Sequence, residues 1–183
     1  YLTLSHENQD GYLAKVMPPI RSNSDVASVW SAIEKNQIDT IGTDHVANQL
    51  KLKLGGDDVW DTLAGFPGIG TSLPILLSEG VNKERINLNQ LIRLTSTNAS
   101  KIFGLKSKGN LDIGFDADIA MIDLKKEEKV STSLFGGFSD YLVYDGWNLK
   151  GWPVKTIVRG NLVAEDFEII GKPGFGKFIS RSS

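Results

Sequence analysis

The stretch "IDTIGTDHVANQ", residues 38–49, decides how the chain is interpreted. Its first half, Ile38 to Gly42, is a short apolar run rich in β-branched residues, which predicts a buried strand. The run ends abruptly at Asp44 and His45. A carboxylate at the end of a buried strand is placed where α/β folds hold catalytic groups, so Asp44 could be a metal ligand, a general base or both. The alternative, an aspartate that caps a turn, is favoured by spacing alone.

His45 is the weaker candidate of the pair. The chain has only two histidines, and the other, His6, is distant in sequence. A single histidine supplies one ligand, whereas a complete metal site needs three or more from the protein. A lone histidine is more often a hydrogen-bonded structural residue.

Composition narrows the class of protein. The chain has 183 residues, a net charge of −2 and no cysteine. The charge gives no reason to expect a nucleic-acid or anionic-membrane partner. The absence of cysteine excludes disulfides, thiolate zinc sites and a cysteine nucleophile, and it fits a cytoplasmic protein. No stretch is long and apolar enough to span a membrane.

The chain divides into an α/β part, residues 1–105, and a β part, residues 106–183. Apolar spacing in the first part predicts helices over 24–35, over 73–79, from about residue 88, and a third capped by Asn98. In the second part, residues 108–124 predict two strands, 154–170 a hairpin and a further strand, and "KKEEK" (125–129) a solvated turn. The tail carries two phenylalanines, which indicates that it lies on another surface, such as a second subunit.

Three further motifs have simpler explanations than a ligand site. "GFPGIG" (65–70) lacks the lysine and hydroxyl of a phosphate-binding loop, so a turn or a substrate-facing loop is favoured. Asp112, Asp116 and Asp118 do not have calcium-loop spacing and are explained as turn residues. "NAS" (98–100) matches a glycosylation acceptor, but a helix cap explains it better.

Six stretches, in order, resemble the C-terminal portion of the amidohydrolase superfamily in its cyclic-amide branch, which holds hydantoinases, dihydropyrimidinases, dihydroorotases and allantoinases. They are "AKVMPPIRS" (14–22), "IDTIGTDHV" (38–46), "GFPGIGTSLPILLSEGVN" (65–82), "LTSTNASKIFGL" (94–105), "GNLDIGFDADIAMIDL" (109–124) and "GWPVKTIVRGNLV" (151–163). The Asp-His dipeptide is not specific by itself, whereas the ordered set is.

The resemblance implies an α/β fold: the C-terminal part of a (β/α)₈ TIM barrel, with the C-terminal strands of a flanking β-sandwich. Residues 38–42 would be the last barrel strand. Asp44 at its end would be a metal ligand and the base that passes a proton from the attacking water to the leaving nitrogen. The cofactor would be two divalent ions, expected to be zinc, and the substrate a small cyclic amide.

The resemblance also implies that much of the active site lies upstream. The family's His-x-His pair, its carboxylated lysine and two further metal histidines precede the region that matches. A complete barrel needs about 250 residues. We therefore expect this chain to be the C-terminal fragment of a longer enzyme, inactive by itself, which assembles as a dimer or tetramer through its C-terminal region.

Four residues are the expected substrate contacts: Met17, His45, Ala64 and Gly65. Relatives often have Asn or Ser at the position of Met17 and Asn at that of Ala64, so here only backbone contacts could hold the ring. These departures leave the identity of the substrate ring undecided. Dihydroorotase or allantoinase activity is the alternative to the opening of a hydantoin or dihydropyrimidine ring. A non-catalytic scaffold related to dihydropyrimidinase is the alternative outside enzymes.

Overall fold

A computed structural model describes residues 2–6 and 11–181 of the chain. Within these ranges, none of the helices has the length and apolar character that crossing a membrane requires. The regular elements of the first part are helices, and those of the second part form a sheet.

The helices of the first part are short and partly continuous with one another. After a 3₁₀ turn at Tyr12–Ala14, they are α1 (Asn23–Glu34), α2 (Leu50–Lys53), α3 (Ile69–Ile75), α4 (Leu88–Ile92) and α5 (Asn98–Ile102). Wider π-helical turns extend α3 through Leu76–Val81 and join α4 to α5 through Arg93–Thr97.

Two helix starts follow from local side-chain chemistry. Ser22 and Asp25 form a reciprocal capping box on α1, and Asn87 and Gln90 do the same on α4. Each box pairs backbone N–H groups that have no partner inside the helix. The predicted cap at Asn98 is wrong, because the helix continues through that residue and the Asn98 amide donates to the Asp39 carbonyl oxygen at 2.9 Å.

The second part forms one antiparallel four-stranded sheet in the order β1-β2-β3-β4. The strands are β1 (Ile119–Lys129), β2 (Asn148–Val158), β3 (Asn161–Glu165) and β4 (Glu168–Ile169). The predicted hairpin at 159–161 is confirmed, since Val158 of β2 pairs with Asn161 of β3 across the turn.

Two predictions in the second part are wrong. Residues 108–124 contain one strand rather than two, because the segment before Ile119 is folded into turns. The "KKEEK" run lies within β1 instead of forming a turn. Asp123 pairs with Trp152 and Glu127 pairs with Lys150, so the register shifts between these two pairs. β1 has more residues than β2 in this interval, and the extra residues form a bulge.

Two apolar clusters hold the elements together. The first lies among the helices and includes Trp30, Ile33, Leu76, Leu77, Ile86, Leu91 and Leu94. The second packs α3 on the sheet and includes Leu4, Ile75, Val130, Tyr144, Leu149 and Trp152. Gly151 allows the close approach, because a Cβ there would lie 2.8 Å from the Leu77 Cβ. The division of the chain at residue 105 stays a prediction.

The predicted strand at residues 38–42 is not formed. Ile38 and Ile41 are partly buried against the first cluster, and the Ile41 N–H donates to the Leu94 carbonyl oxygen at 3.1 Å. A strand requires a neighbouring strand to pair with. Within residues 2–6 and 11–181 none lies beside this segment.

A charged cluster joins the end of the helical part to the sheet. The Lys108 ammonium pairs with Asp118 and, at 3.0 Å, with Asp116. Asp118 also accepts the Arg159 N–H at 2.8 Å, at the turn between β2 and β3. The hydrogen bond from Lys108 lowers the pKa of Asp116. Burial raises the pKa of Asp118, but Lys108 and the Arg159 N–H outweigh it, so that pKa is also lowered.

This cluster predicts an acid-sensitive contribution to stability. Both carboxyls have a lower pKa in the folded than in the unfolded chain, so their contribution is present above about pH 4 and is lost as the pH falls through the folded pKa values. We expect the difference in melting temperature between wild type and Lys108→Met to be largest near pH 6 and to shrink below pH 4. Lys106→Met, at an exposed neighbouring lysine, is the control; a difference that does not change with pH would contradict the assignment.

Candidate functional site

An apolar cleft of about 320 Å³ lies between the start of the chain, residues 38–44 and helix α3. Most of its lining is aliphatic or aromatic, and the polar groups that reach it include Thr43, Asp44, Thr71, Ser72 and Tyr144. Asp44 is the only carboxylate among the lining residues that the structure describes. A mostly apolar cleft with a few polar groups is the usual form of a small-molecule site.

Asp44 is held in an unusual backbone conformation at the edge of this cleft. Its φ is +44°, in the left-handed region that non-glycine residues seldom adopt but aspartate and asparagine tolerate best. Its side chain is exposed. Within the described part of the chain, the carboxylate has no hydrogen bond or ion pair, so it caps no turn there. Such conformations concentrate at functional sites.

His45 points to a different place from Asp44. Its Nδ1 accepts the N–H groups of Gly68 at 3.1 Å and Ile69 at 3.3 Å. These are amides at the start of α3, where the glycine cap has no side chain to receive them. Because Nδ1 is the acceptor, a neutral ring carries its hydrogen on Nε2. The structure thus gives His45 a helix-capping role, and its contact with substrate stays a prediction.

Gly65 lies where three segments of the first part meet. Its N–H donates to the Lys15 carbonyl oxygen at 2.9 Å, and the next residue, Phe66, accepts the Val46 N–H at 3.3 Å. The φ of Gly65 is +97°, and a Cβ there would lie 2.4 Å from Val46 Cγ2. Only glycine fits this position, which joins the segment containing Asp44 to the loop before α3.

Lys53 fills the centre of this junction. Its side chain is fully buried, and its ammonium donates to the carbonyl oxygens of Lys15 at 2.7 Å, Leu63 at 2.7 Å and Gly65 at 2.8 Å. Burial, with the nearby charge of Lys15, lowers the pKa of Lys53 to about 8. The Lys15 ammonium in turn donates to the carbonyl oxygens of Val59 at 2.5 Å and Thr62 at 2.6 Å. The two lysines therefore fix the loop from its inner side.

Met17 and Ala64 are both exposed, and neither lines the cleft of Asp44. Their neighbours Val16 and Phe66 do line it. The predicted contact residues thus lie within two positions of the cleft wall, on segments that Lys53 and Gly65 tie together. Direct contact of Met17, Ala64 and Gly65 with a substrate stays a prediction.

The described residues do not form a metal site by themselves. Across residues 2–6 and 11–181 there is no group of three or more histidine, cysteine, aspartate or glutamate side chains placed to hold an ion. Asp44 offers one exposed carboxylate without a partner, which suits a single ligand to a divalent ion.

Sequence reasoning missed Lys53. In "LKLKLGG" (50–56) two lysines alternate with leucines. The sequence alone does not distinguish Lys51, which is exposed, from Lys53, which is buried. The burial depends on carbonyl groups 10 to 38 residues away in the chain. A pattern of neighbouring residues cannot predict such a contact.

Comparison with known proteins matches residues 11–163 to the amidohydrolase family. An L-hydantoinase from Paenarthrobacter aurescens is 38% identical over 99% of this chain, which corresponds to 40% of the relative. A dihydroorotase from Pyrococcus furiosus is 37% identical over 99% of this chain and 41% of the relative. The chain therefore spans about two-fifths of the length of these curated relatives.

Comparison with solved structures gives the same result. The solved structure of the L-hydantoinase (dihydropyrimidinase) from Arthrobacter aurescens superimposes with a TM-score of 0.95 at 38% identity, over 99% of this chain and 41% of that one. This confirms the predicted fold class, the C-terminal part of a TIM barrel with its adjoining sheet. The chain belongs to the amidohydrolase family.

Proposed function

We propose that the complete protein containing this chain hydrolyses a cyclic amide by opening a hydantoin or dihydropyrimidine-type ring. The observation that carries the proposal is the placement of Asp44, an unpartnered carboxylate with a left-handed backbone at the edge of an apolar cleft. The hydantoinases and dihydroorotases that the chain resembles are named for reactions of this kind. Residues 1–105 would be the barrel portion and 106–183 the sandwich portion.

The chemistry assigns Asp44 two tasks. Amidohydrolases generally depend on metal, and bound divalent ions, which we propose are two zinc ions, activate water and polarise a carbonyl. Asp44 would be one protein ligand. Its carboxylate would also carry a proton from the attacking water to the ring nitrogen, which must be protonated to leave.

A panel of four rings tests the proposal. The complete protein, loaded with zinc, is incubated with hydantoin, dihydrouracil, dihydroorotate and allantoin, and ring opening is followed by loss of ultraviolet absorbance. We expect the highest kcat/KM on hydantoin or dihydrouracil. Highest activity on dihydroorotate or allantoin would support the alternative within the family, for which the dihydroorotase relatives give a specific reason. No turnover of any ring would favour a non-catalytic scaffold.

We further propose that the protein forms a dimer or tetramer through its C-terminal region. Phe178 in the tail is 94% exposed and Ile169 of β4 is 74% exposed. By contrast, Phe175 of the same tail lies 4.4 Å beneath the Arg159 guanidinium. Large apolar side chains left on a surface indicate a protein contact.

The tail therefore predicts the effect of a surface substitution on assembly. We expect Phe178→Ser to lower the molar mass measured by light scattering at micromolar concentration toward that of a smaller assembly. Ile113→Ser, at a fully exposed isoleucine outside the tail, is the control. An unchanged mass in Phe178→Ser would contradict the role of the tail.

A further inference from the structure

Lys53 is a cation buried without a carboxylate among the described residues. Its three N–H groups all donate to backbone carbonyl oxygens, those of Lys15, Leu63 and Gly65. Burying an ammonium in this way is costly, since neutral dipoles replace water but no opposite charge does. An apolar side chain could fill the same space without the free-energy cost of burying a charge. The presence of a lysine therefore indicates that the orientation of these three carbonyl groups matters.

The fixed carbonyls determine where the backbone of Ala64 points. In a trans peptide the N–H is directed opposite to the C=O of the same unit. Because the Leu63 carbonyl faces the ammonium, the Ala64 N–H is directed away from it. The Gly65 N–H donates to the Lys15 oxygen at 2.9 Å, so the Ala64 C=O is directed away from that oxygen. Both polar backbone groups of Ala64 are thus turned outward.

These two groups are available for a ligand. Ala64 is exposed, and in residues 2–6 and 11–181 neither its N–H nor its C=O has a hydrogen-bond partner. The amide of a small ring is cis, so its N–H and C=O point to the same side. The Ala64 C=O can accept from the ring N–H while the Ala64 N–H donates to the ring C=O. Backbone groups that are held in place before binding lose little entropy when the ligand arrives.

We propose that Lys53 is a positioning residue, which fixes the Ala64 N–H and C=O so that they bind the amide of the ring. The proposal rests on the cyclic-amide hydrolysis proposed above and adds a residue to its substrate site. Lys53 itself touches neither the substrate nor Asp44. It acts only through the Leu63 and Gly65 carbonyls on either side of Ala64.

The test compares Lys53→Met with Lys51→Met in the complete, zinc-loaded protein. Lys51 is an exposed lysine on the same short helix, so its variant controls for loss of charge there. We expect Lys53→Met to raise KM for hydantoin and dihydrouracil about tenfold, the effect of losing one or two hydrogen bonds. Metal content and kcat should stay close to wild type. Lys51→Met should match wild type in all three.

A role in general loop stability would give a different pattern. Equal KM in the two variants would overturn the proposal, as would a fall in metal content and kcat with KM unchanged. If the wild-type protein opens none of the rings, the proposed function fails and the role of Lys53 fails with it. Normal turnover with no effect of Lys53→Met refutes the positioning role alone.

A measurement on the wild-type protein covers the case in which Lys53→Met does not fold. Amide hydrogen exchange is followed with and without saturating hydantoin. We expect hydantoin to slow exchange of the Ala64 N–H, while the exchange of a distant exposed amide such as Ile113 stays constant. Unchanged exchange at Ala64 would overturn the proposal without any substitution.

Discussion

Replacing Asp44 with asparagine should lower kcat/KM for ring opening by roughly a thousandfold or more, because the amide can neither carry a proton nor bind a cation as a carboxylate does. The fold should be unaffected. Asparagine has the same shape and tolerates the left-handed backbone at φ +44°. The Asp44 side chain is exposed, so its replacement leaves no buried group unpaired. Ring-opening rates and metal content of the purified complete protein measure the effect.

Asp39→Asn is the matched control for this prediction. Asp39 is an exposed aspartate on the same segment, and only its backbone oxygen is used, by Asn98. We expect this variant to keep wild-type kcat/KM. Full turnover in Asp44→Asn would refute both the metal-ligand and the proton-transfer role of Asp44.

Replacing Gly65 with alanine should have the second large effect. The new Cβ would lie 2.4 Å from Val46 Cγ2, and the stiff valine has little freedom to turn away. Overpacking costs about 1–3 kcal/mol, and a left-handed alanine adds roughly 1–2 kcal/mol. Relief by moving the Val46 segment would displace Asp44, and a shift of about 1 Å can reduce turnover roughly a hundredfold.

Two further variants separate the clash from the backbone strain. Gly160→Ala introduces alanine at a similar φ, +76°, with no atom within 4 Å of the new Cβ. It should lose stability but keep kcat/KM. In the double variant Val46→Ala with Gly65→Ala, most of the clash is gone, so stability and turnover should recover in part. If Gly65→Ala behaves like Gly160→Ala, the close contact between the segments has no functional importance.

The residue patterns predicted local structure well where a short segment determines it. The capping box of Ser22 and Asp25 and the hairpin at 159–161 depend on neighbouring residues and are found. The strand at residues 38–42 depends on partners that the described residues do not supply, so its apolar pattern gave a wrong prediction. Asn98 looked like a cap because its side chain suits one, yet its amide bonds the Asp39 carbonyl 59 residues away.

In the candidate site too, the sequence predicted features that depend on neighbouring residues and missed contacts between residues far apart in the chain. Asp44 stood out because it follows an apolar run, and its importance rested on the ordered resemblance of the surrounding stretches. The helix cap made by His45 reaches 23 and 24 residues along the chain, so the dipeptide alone could not reveal it. Lys53 was missed for the same reason, since its three carbonyl partners come from two distant segments.

Metal dependence of the complete protein tests the central claim most directly. The purified protein is analysed for bound metal, treated with a chelator, and assayed for opening of hydantoin and dihydrouracil before and after zinc is restored. We predict about two divalent ions per chain, loss of turnover on chelation and recovery with zinc. Full turnover in protein that holds no metal would contradict the account.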